Sequence, residues 1–256
     1  MNMQKKATIA VFRDTFPEES EPEILAEQGE NENKPHYLGH RQRLRERFLS
    51  GNQSSILDYE LLEMLLGLVQ PRKDTKPLAK RLLKLFGNFS GIIGAEVGQL
   101  RAIDGIGDST ISMFKVIHES VCRILKENLM SRPLLNNGER VVDYCRAGMA
   151  YLGREQHRIL FLNSKNYLIA DEMRVEGTVD YTYTYPREII TRALEVRAKA
   201  IIMVHNHPSG DHTPSKEDIV LTKQVQEIAT KMEIYLHDHI IVSKKGAYSM
   251  KLAGDI

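Results

Sequence analysis

This sequence of 256 residues has little cysteine, a small net charge and few long apolar runs. The two cysteines, Cys122 and Cys145, form no CxxC pair, so the sequence predicts free thiols in a reducing compartment. The formal net charge of +1 gives no global basic field that would indicate a nucleic-acid-binding protein. No apolar run has the length of a membrane span, and the N-terminal stretch MNMQKKATIAVF is too short for a signal peptide. We therefore expect a soluble cytoplasmic protein without membrane contact.

The N-terminal segment lacks the composition of a folded region. Between Asp14 and Glu32 acidic residues dominate, prolines are present, and Lys and Arg are absent. Such a segment cannot bury enough apolar surface to fold, so residues 1–35 are predicted to be a disordered acidic leader. The leader is either a solvated extension or an acidic tail that binds a partner or masks a basic surface.

A basic, helix-forming stretch begins at His36. Its arginines are Arg41, Arg43, Arg45 and Arg47. The apolar periodicity of residues 58–68 and 76–86 predicts two further helices. We interpret residues 36–126 as a domain built on a small helical bundle. The arginines either follow a phosphate backbone or form a solvated helix face.

A tight turn at Gly105, Ile106 and Gly107 lies between two apolar helical patterns. This arrangement resembles a helix-hairpin-helix, in which backbone amides near the glycines approach a DNA phosphate without reading the bases. Asp108 follows directly, and a carboxylate beside a phosphate site is repulsive. The resemblance implies the hairpin fold, whereas DNA contact through residues 36–126 is expected to be weak and non-specific, or absent.

A second domain is predicted after a linker at residues 127–137, where the helical pattern breaks. In residues 138–256, helical patterns alternate with predicted strands. These strands cover residues 155–162, 167–170, 177–185, 201–207 and 234–242. Strands interleaved with helices over this length predict a compact α/β (α+β) domain.

The most informative stretch reads IIMVHNHPSG, followed by DHTPSKED. Its apolar start predicts a buried strand, and His205 and His207, two residues apart, leave that strand on the same side. Residues 215–218 have the form of a capping box that opens a helix. Two imidazoles and the Asp218 carboxylate at one strand-to-helix junction make a three-ligand zinc site with an open fourth position. The alternative is a pair of hydrogen-bonded surface histidines beside an ordinary helix cap.

The motifs His-x-His-Pro at residues 205–208 and Ser-x-x-Asp at residues 215–218 resemble the signature of the JAMM (JAB/MPN) metalloproteases. The longer string HNHPSG, with PS and Asp218 after it, is similar to the RadC branch, and the resemblance covers nearly all of the chain after residue 36. It implies that residues 138–256 form a JAB/MPN, cytidine-deaminase-like mixed-sheet metal domain. It also implies Zn2+ as the cofactor, with three ligands: His205, His207 and Asp218.

The same resemblance implies a glutamate general base near the start of the first strand of the metal domain, and Glu155 has that position. Glu172 is the second choice, and Glu176 and Glu188 are further candidates. Ser215 is expected to donate its hydroxyl to the oxyanion of a tetrahedral intermediate. Four other metal-capable residues stay outside the predicted ligand set, although two of them, His237 and His239, share a strand face that could line the site: His212, His237, Asp238 and His239.

Three functions compete on this sequence. The first is a zinc-dependent peptidase or isopeptidase that acts on a protein or peptide and is delivered to it by the helical domain. The second is a DNA-repair-associated DNA-binding protein or metal-dependent nuclease, and the third is a non-catalytic MPN scaffold. One zinc with a neutral carbonyl substrate suits peptidase chemistry, whereas two-metal nucleases need a denser carboxylate cluster. The intact histidine and aspartate set argues against a scaffold.

Overall fold

The computed structural model of the chain describes residues 36–51, 53–134, 138–174 and 186–256. Contacts divide this described part into two compact units, residues 36–92 and residues 93–256. The predicted leader at residues 1–35, the predicted strand at residues 177–185 and the candidate base Glu176 lie outside the described residues. Within the described ranges, no helix combines the length and the apolar character that crossing a membrane requires.

The unit formed by residues 36–92 is helical. Its helices are α1 (His36–Leu49), α2 (Asp58–Val69), α3 (Lys76–Phe86) and the first part of α4 (Phe89–Gly94). Glu60 caps the start of α2 by accepting the Leu57 N–H at 3.1 Å, and Gly87 ends α3 with a φ of 85°, where glycine is favoured. Every helix contributes to the buried core, which contains Leu44, Leu62, Leu66, Ala79, Leu82 and Ile92. An N-terminal helical region is thus confirmed.

The arginines of α1 differ in what they contact. Arg41 donates hydrogen bonds to main-chain oxygens of the loop that follows α2. Arg47 forms an ion pair of 2.5 Å with the buried Glu60. Arg43 and Arg45 are exposed. Two of the four predicted phosphate contacts are therefore engaged within the protein, and DNA binding stays a prediction.

The predicted hairpin corresponds to α5 (Val97–Arg101) and α6 (Asp108–Met130) in the second unit. In the turn between these helices, Gly105 has a φ of 86° and Ile106 is buried. Asp108 accepts a hydrogen bond of 2.9 Å from Arg101. The carboxylate that is expected to repel a phosphate is thus paired with a guanidinium of the preceding helix.

Helix α6 is longer than the sequence pattern indicates, because it continues to Met130 inside the predicted linker at residues 127–137. Leu129 and Leu134 are buried in the same apolar cluster as the sheet. Lys126 forms an ion pair of 2.9 Å with Asp171. Apolar burial and this ion pair therefore hold the start of the predicted linker against the sheet.

A mixed five-stranded sheet forms the centre of the second unit. Its strands are β1 (His157–Leu162), β2 (Leu168–Arg174), β3 (Ala200–Asn206), β4 (Tyr235–Ser243) and β5 (Gly246–Ser249). The strand order is β2-β1-β3-β4-β5; β3 and β4 are parallel, and the other neighbours are antiparallel. Besides α5 and α6, this unit contains α7 (Gly138–Met149), α8 (Pro186–Glu195), α9 (Lys216–Lys231) and α10 (Met250–Ala253).

Apolar side chains cover both faces of the sheet. Alternate residues of β1 and β3, such as Leu160 and Val204, pack with α7 on one face. The residues between them, such as Phe161 and Met203, pack with α8 and α9 on the other. Because side chains alternate along a strand, His205 belongs to the face of Met203 and points toward α9. Helices on both faces of a mixed sheet confirm the predicted α/β class.

One charged cluster is buried beneath α7. Asp171 of β2 accepts hydrogen bonds from Arg158 of β1 at 3.2 Å and from the Tyr144 hydroxyl at 2.5 Å. Lys126 adds the ion pair described above. Burial, reinforced by the hydrogen bond to Asp171, raises the pKa of the Tyr144 hydroxyl well above its usual range, so Tyr144 stays neutral. The Asp171 carboxylate thus ties together two strands and two helices.

Candidate metal centre

His205 and His207 lie at the carboxyl end of β3, which pairs with β1 on one side and β4 on the other. This central position buries the His205 ring completely. His207 follows the strand and is partly exposed. The two Nε2 atoms are 2.9 Å apart, as expected for residues that leave an extended chain on the same side.

Asp218 reaches the same place from the first turn of α9. Ser215 is the N-cap of this helix: its Oγ accepts the Asp218 N–H at 3.0 Å, and its own N–H donates to Asp218 Oδ2 at 2.8 Å. This capping box holds the carboxylate 3.2 Å from His205 Nε2 and 3.5 Å from His207 Nε2. Burial alone would raise the pKa of the Asp218 carboxyl, but the two adjacent histidines and the hydrogen bond from Ser215 hold it well below its usual range. Asp218 is therefore ionised.

Glu155 approaches these three residues from the loop that precedes β1. Its Oε1 lies 3.9 Å from His205 Nε2, and its side chain is 40% exposed. Asn206, buried between the two histidines, holds this loop: its Oδ1 accepts the Gln156 N–H at 2.9 Å and its Nδ2 donates to the Arg154 carbonyl oxygen at 3.0 Å. Both peptide neighbours of Glu155 are thus fixed by the middle residue of the His-Asn-His sequence.

Four donor groups converge in this way, from Glu155, His205, His207 and Asp218, with all ligand atoms within 4.8 Å of one another. Imidazole nitrogens and carboxylate oxygens are donors that zinc accepts in tetrahedral sites. The residues present therefore fit a divalent metal ion, with Glu155 near enough to act on a molecule bound beside the ion.

Of the other glutamates considered as bases, the two that the structure describes are not brought into this group. Glu172 accepts a hydrogen bond of 2.8 Å from Arg192 of α8, and the two side chains also form an ion pair. Glu188 lies on the exposed side of α8. Among the described glutamates, only Glu155 stands within reach of the histidine and aspartate ligands.

Ser215 has a more local role than the oxyanion prediction requires. Its hydroxyl donates to Asp218 Oδ2 at 2.6 Å, in addition to accepting the Asp218 N–H. The hydroxyl proton is thus directed at the carboxylate in this arrangement. The oxyanion role stays a prediction, and the observed contacts make Ser215 a residue that orients Asp218.

Comparisons with known proteins agree with this architecture. A family model described as a RadC-like JAB domain matches residues 135–255, and one described as UPF0758 N-terminal matches residues 36–112. A UPF0758 protein of Rhodobacter capsulatus is 44% identical over 211 residues, which are 82% of this chain and 99% of the relative. The chain belongs to the RadC family. The resemblance first seen in the histidine motif is thereby confirmed.

In this RadC family member, the JAB domain supports a metal-dependent hydrolase-like fold. The group of Glu155, His205, His207 and Asp218 provides a candidate metal site in that domain. Both statements concern residues 138–256, the part for which the sequence predicts the metal domain.

Two further histidines surround His205: the sequence did not indicate His157, and it indicated His239 only as a residue that could line the site. The His157 ring stacks on that of His205 with centroids 5.1 Å apart, because the antiparallel register pairs these residues on β1 and β3. The His239 ring lies on the other side, with its Nε2 2.8 Å from His205 Nδ1. Burial, helped by the neighbouring His205, lowers the pKa of His157 to about 4 and that of His239 well below its usual value. Both rings are neutral near pH 7.

The remaining metal-capable residues face elsewhere. His237 Nε2 contacts Asn166 Oδ1 at 2.8 Å, and Asp238 accepts a hydrogen bond of 2.5 Å from the Ser249 hydroxyl. His212 lies beside Gly246. The expectation that His237 and His239 share a face is wrong, because the register of β4 against β3 shifts between Leu236 and Asp238.

Proposed function

We propose that this protein is a zinc-dependent metallohydrolase that cleaves peptide or isopeptide bonds. The observation that carries the proposal is the convergence of His205, His207 and Asp218 at the end of β3, with the partly exposed Glu155 3.9 Å from His205 Nε2. Three protein ligands leave a fourth zinc position for water, as in catalytic rather than structural sites. When bound, zinc would supply a Lewis acid and lower the pKa of its water to about 7.

Glu155 is the residue that we assign as general base. Its carboxylate accepts a proton from the attacking water and passes it to the leaving amine. The exposed fraction of 40% leaves Glu155 open to a substrate, while the Asn206 hydrogen bonds restrict its loop. A base held on a fixed loop meets the geometric requirement for proton transfer better than one on a free surface.

Asp218 and its N-cap complete the proposed machinery. Asp218 holds its charge at neutral pH because its pKa is depressed, and Ser215 turns that charge toward the histidines. Reorientation of the Ser215 hydroxyl toward a substrate would place a donor at a developing oxyanion. In either orientation, Ser215 acts at the same edge of the site as Asp218.

Peptide hydrolysis explains the donor set better than phosphodiester cleavage. Within the described residues, the candidate group contains two carboxylates, those of Glu155 and Asp218. Two-metal nucleases place two ions about 4 Å apart and need more bridging carboxylates than this. A single ion with one carboxylate base suits attack on a neutral carbonyl group.

Metal content and cleavage together test the proposal. The full-length protein and the variants His205→Ala, His207→Ala and Asp218→Ala are purified from zinc-replete cells and analysed for metal, then incubated with a diverse peptide library. We expect about one zinc per wild-type chain, loss of zinc in each variant, and cleavage only by the wild type. His212→Ala, which removes a nearby histidine from outside the donor group, is the matched control and should keep both properties.

Two results would reject the proposal. If the wild-type protein carries no zinc, the assignment of a zinc site is wrong. If the zinc-loaded protein cleaves no peptide or isopeptide bond but does cleave a phosphodiester, the site is that of a nuclease.

A further inference from the structure

Behind His205, a chain of buried hydrogen bonds leads away from the donor group. His205 Nδ1 lies 2.8 Å from His239 Nε2, and His239 Nδ1 lies 2.5 Å from Thr222 Oγ1. The Thr222 hydroxyl is also 2.5 Å from the main-chain carbonyl oxygen of Asp218, one helical turn earlier in α9. His205, His239 and Thr222 have no exposed surface. Bulk solvent therefore cannot replace any partner in the chain.

The direction of every proton in this chain follows from its last member. A carbonyl oxygen only accepts, so the contact between Thr222 and Asp218 is a hydrogen bond only when the Thr222 hydroxyl donates; the Met250 sulfur, 3.4 Å from the hydroxyl, is a weaker acceptor. Thr222 Oγ1 then accepts the proton on His239 Nδ1. His239 Nε2 is left with a lone pair, which accepts the proton on His205 Nδ1.

This order leaves His205 Nε2 without a proton. The opposite order would put a proton on His205 Nε2, where it would block metal binding, and would leave the Asp218 carbonyl without the hydroxyl donor. On the other side of the site, His207 Nδ1 lies 2.7 Å from the Asp211 carbonyl oxygen and carries a proton for the same reason. The Nε2 lone pairs of both histidines therefore point at each other and at Asp218, an arrangement that a shared cation stabilises.

We propose that Thr222 and His239 are positioning residues, which hold His205 in the tautomer with a free Nε2 and thereby raise the affinity of the site for its metal. The effect on metal rests on the proposed function. Asp218 takes part twice. Its carboxylate is a proposed ligand, and its carbonyl oxygen fixes the proton direction in the hydrogen-bond relay from Thr222 through His239 to His205. Formation of the first turns of α9 thus sets both the carboxylate and the imidazole.

Thr222→Val tests the relay with little change in shape, because it replaces the hydroxyl by a methyl group. Zinc affinity is measured on the full-length protein by competition with a chromogenic chelator. We expect Thr222→Val to bind zinc about 10- to 100-fold more weakly, the usual loss when an outer partner of a metal ligand is removed. Thr222→Ser, which keeps the hydroxyl, should restore most of the affinity.

A matched control lies on the same helix. The Thr230 hydroxyl donates to the Gln226 carbonyl oxygen at 2.7 Å, in the same backbone pattern as Thr222, but it is exposed and has no hydrogen bond with any histidine of the described segments. Thr230→Val should leave zinc affinity unchanged. Equal affinity in Thr222→Val and wild type would overturn the proposal.

The tautomer itself is measured by 15N NMR of histidine-labelled, zinc-free protein at alkaline pH. We expect the His205 proton on Nδ1 in the wild type, with a shift toward Nε2 in Thr222→Val. A wild-type His205 protonated on Nε2 would overturn the proposal even if the variant fails to fold. A wild type that has the expected tautomer but binds no zinc would reject the proposed function and leave the relay standing.

Discussion

Acid should destabilise this fold in a way that depends on His157. Burial, with a smaller contribution from the adjacent His205, lowers the pKa of the His157 imidazole from 6.5 to about 4. In the unfolded chain the imidazole regains its usual pKa. Between these two values the unfolded state binds a proton that the folded state excludes, so the free energy of unfolding falls as the pH falls from about 6.5 to about 4.

The size of this loss follows from the two pKa values. One pKa unit corresponds to about 1.4 kcal/mol, so full burial of neutral His157 makes the fold about 3 kcal/mol less stable below pH 4 than above pH 6.5. The pKa of His239 is depressed for the same reason and acts in the same direction. Within the described residues, His157 Nδ1 has no hydrogen-bond partner that would compensate for charging the ring.

Urea unfolding of the zinc-free protein measures the effect. His157→Phe keeps an aromatic ring of similar size beside His205 but cannot bind a proton, so it isolates the contribution of His157. Between about pH 7.5 and about pH 4.5, we expect wild type to lose roughly 2–3 kcal/mol more stability than His157→Phe. If both proteins lose the same stability over this interval, His157 is not held neutral by burial and the reasoning is refuted.

Two further predictions concern buried partners. Asp171→Asn should cost about 3–5 kcal/mol in urea unfolding, because it leaves the buried Arg158 guanidinium without a counter-charge; a loss below about 1 kcal/mol would contradict this. Ser215→Ala should weaken zinc binding about tenfold in chelator competition, because helix α9 loses its N-cap side chain and the Asp218 carboxylate loses its hydroxyl donor. Unchanged zinc affinity with lost hydrolysis at saturating zinc would instead assign Ser215 to the oxyanion.

Much of the candidate site was predictable because its central residues lie in one short stretch. Strand alternation puts His205 and His207 on one side, and the helix-capping pattern of Ser215 and Asp218 indicates where α9 begins. These rules act between near neighbours in the chain. The convergence of both histidines and Asp218 therefore follows from local geometry, without knowledge of the rest of the sheet.

Residues that depend on strand register were harder to predict. His157 reaches the site only because β1 pairs antiparallel with β3 in a register that sets it opposite His205. Glu155 precedes the same strand, and family resemblance rather than periodicity indicated its role. On a regular strand His237 and His239, two residues apart, would share a face. The register shift at that point means that only His239 reaches His205.

The extent of α6 shows a different limit. The sequence pattern weakens after residue 126, whereas the helix continues to Met130. Burial of Leu129 beside the sheet and the ion pair between Lys126 and Asp171 stabilise that last turn. Such contacts with distant residues override local helix signals, and periodicity alone does not reveal them.

The most direct test of the account compares hydrolysis by zinc-loaded wild type and Glu155→Gln on the best peptide from the library. The amide cannot accept the water proton, whereas none of the three proposed ligands is changed. We predict that Glu155→Gln binds zinc about as tightly as wild type. It should cleave the peptide at least about 100-fold more slowly, because proton transfer by a positioned side chain typically contributes about 10²–10⁴-fold. A zinc-loaded Glu155→Gln variant with wild-type cleavage would contradict the proposed mechanism.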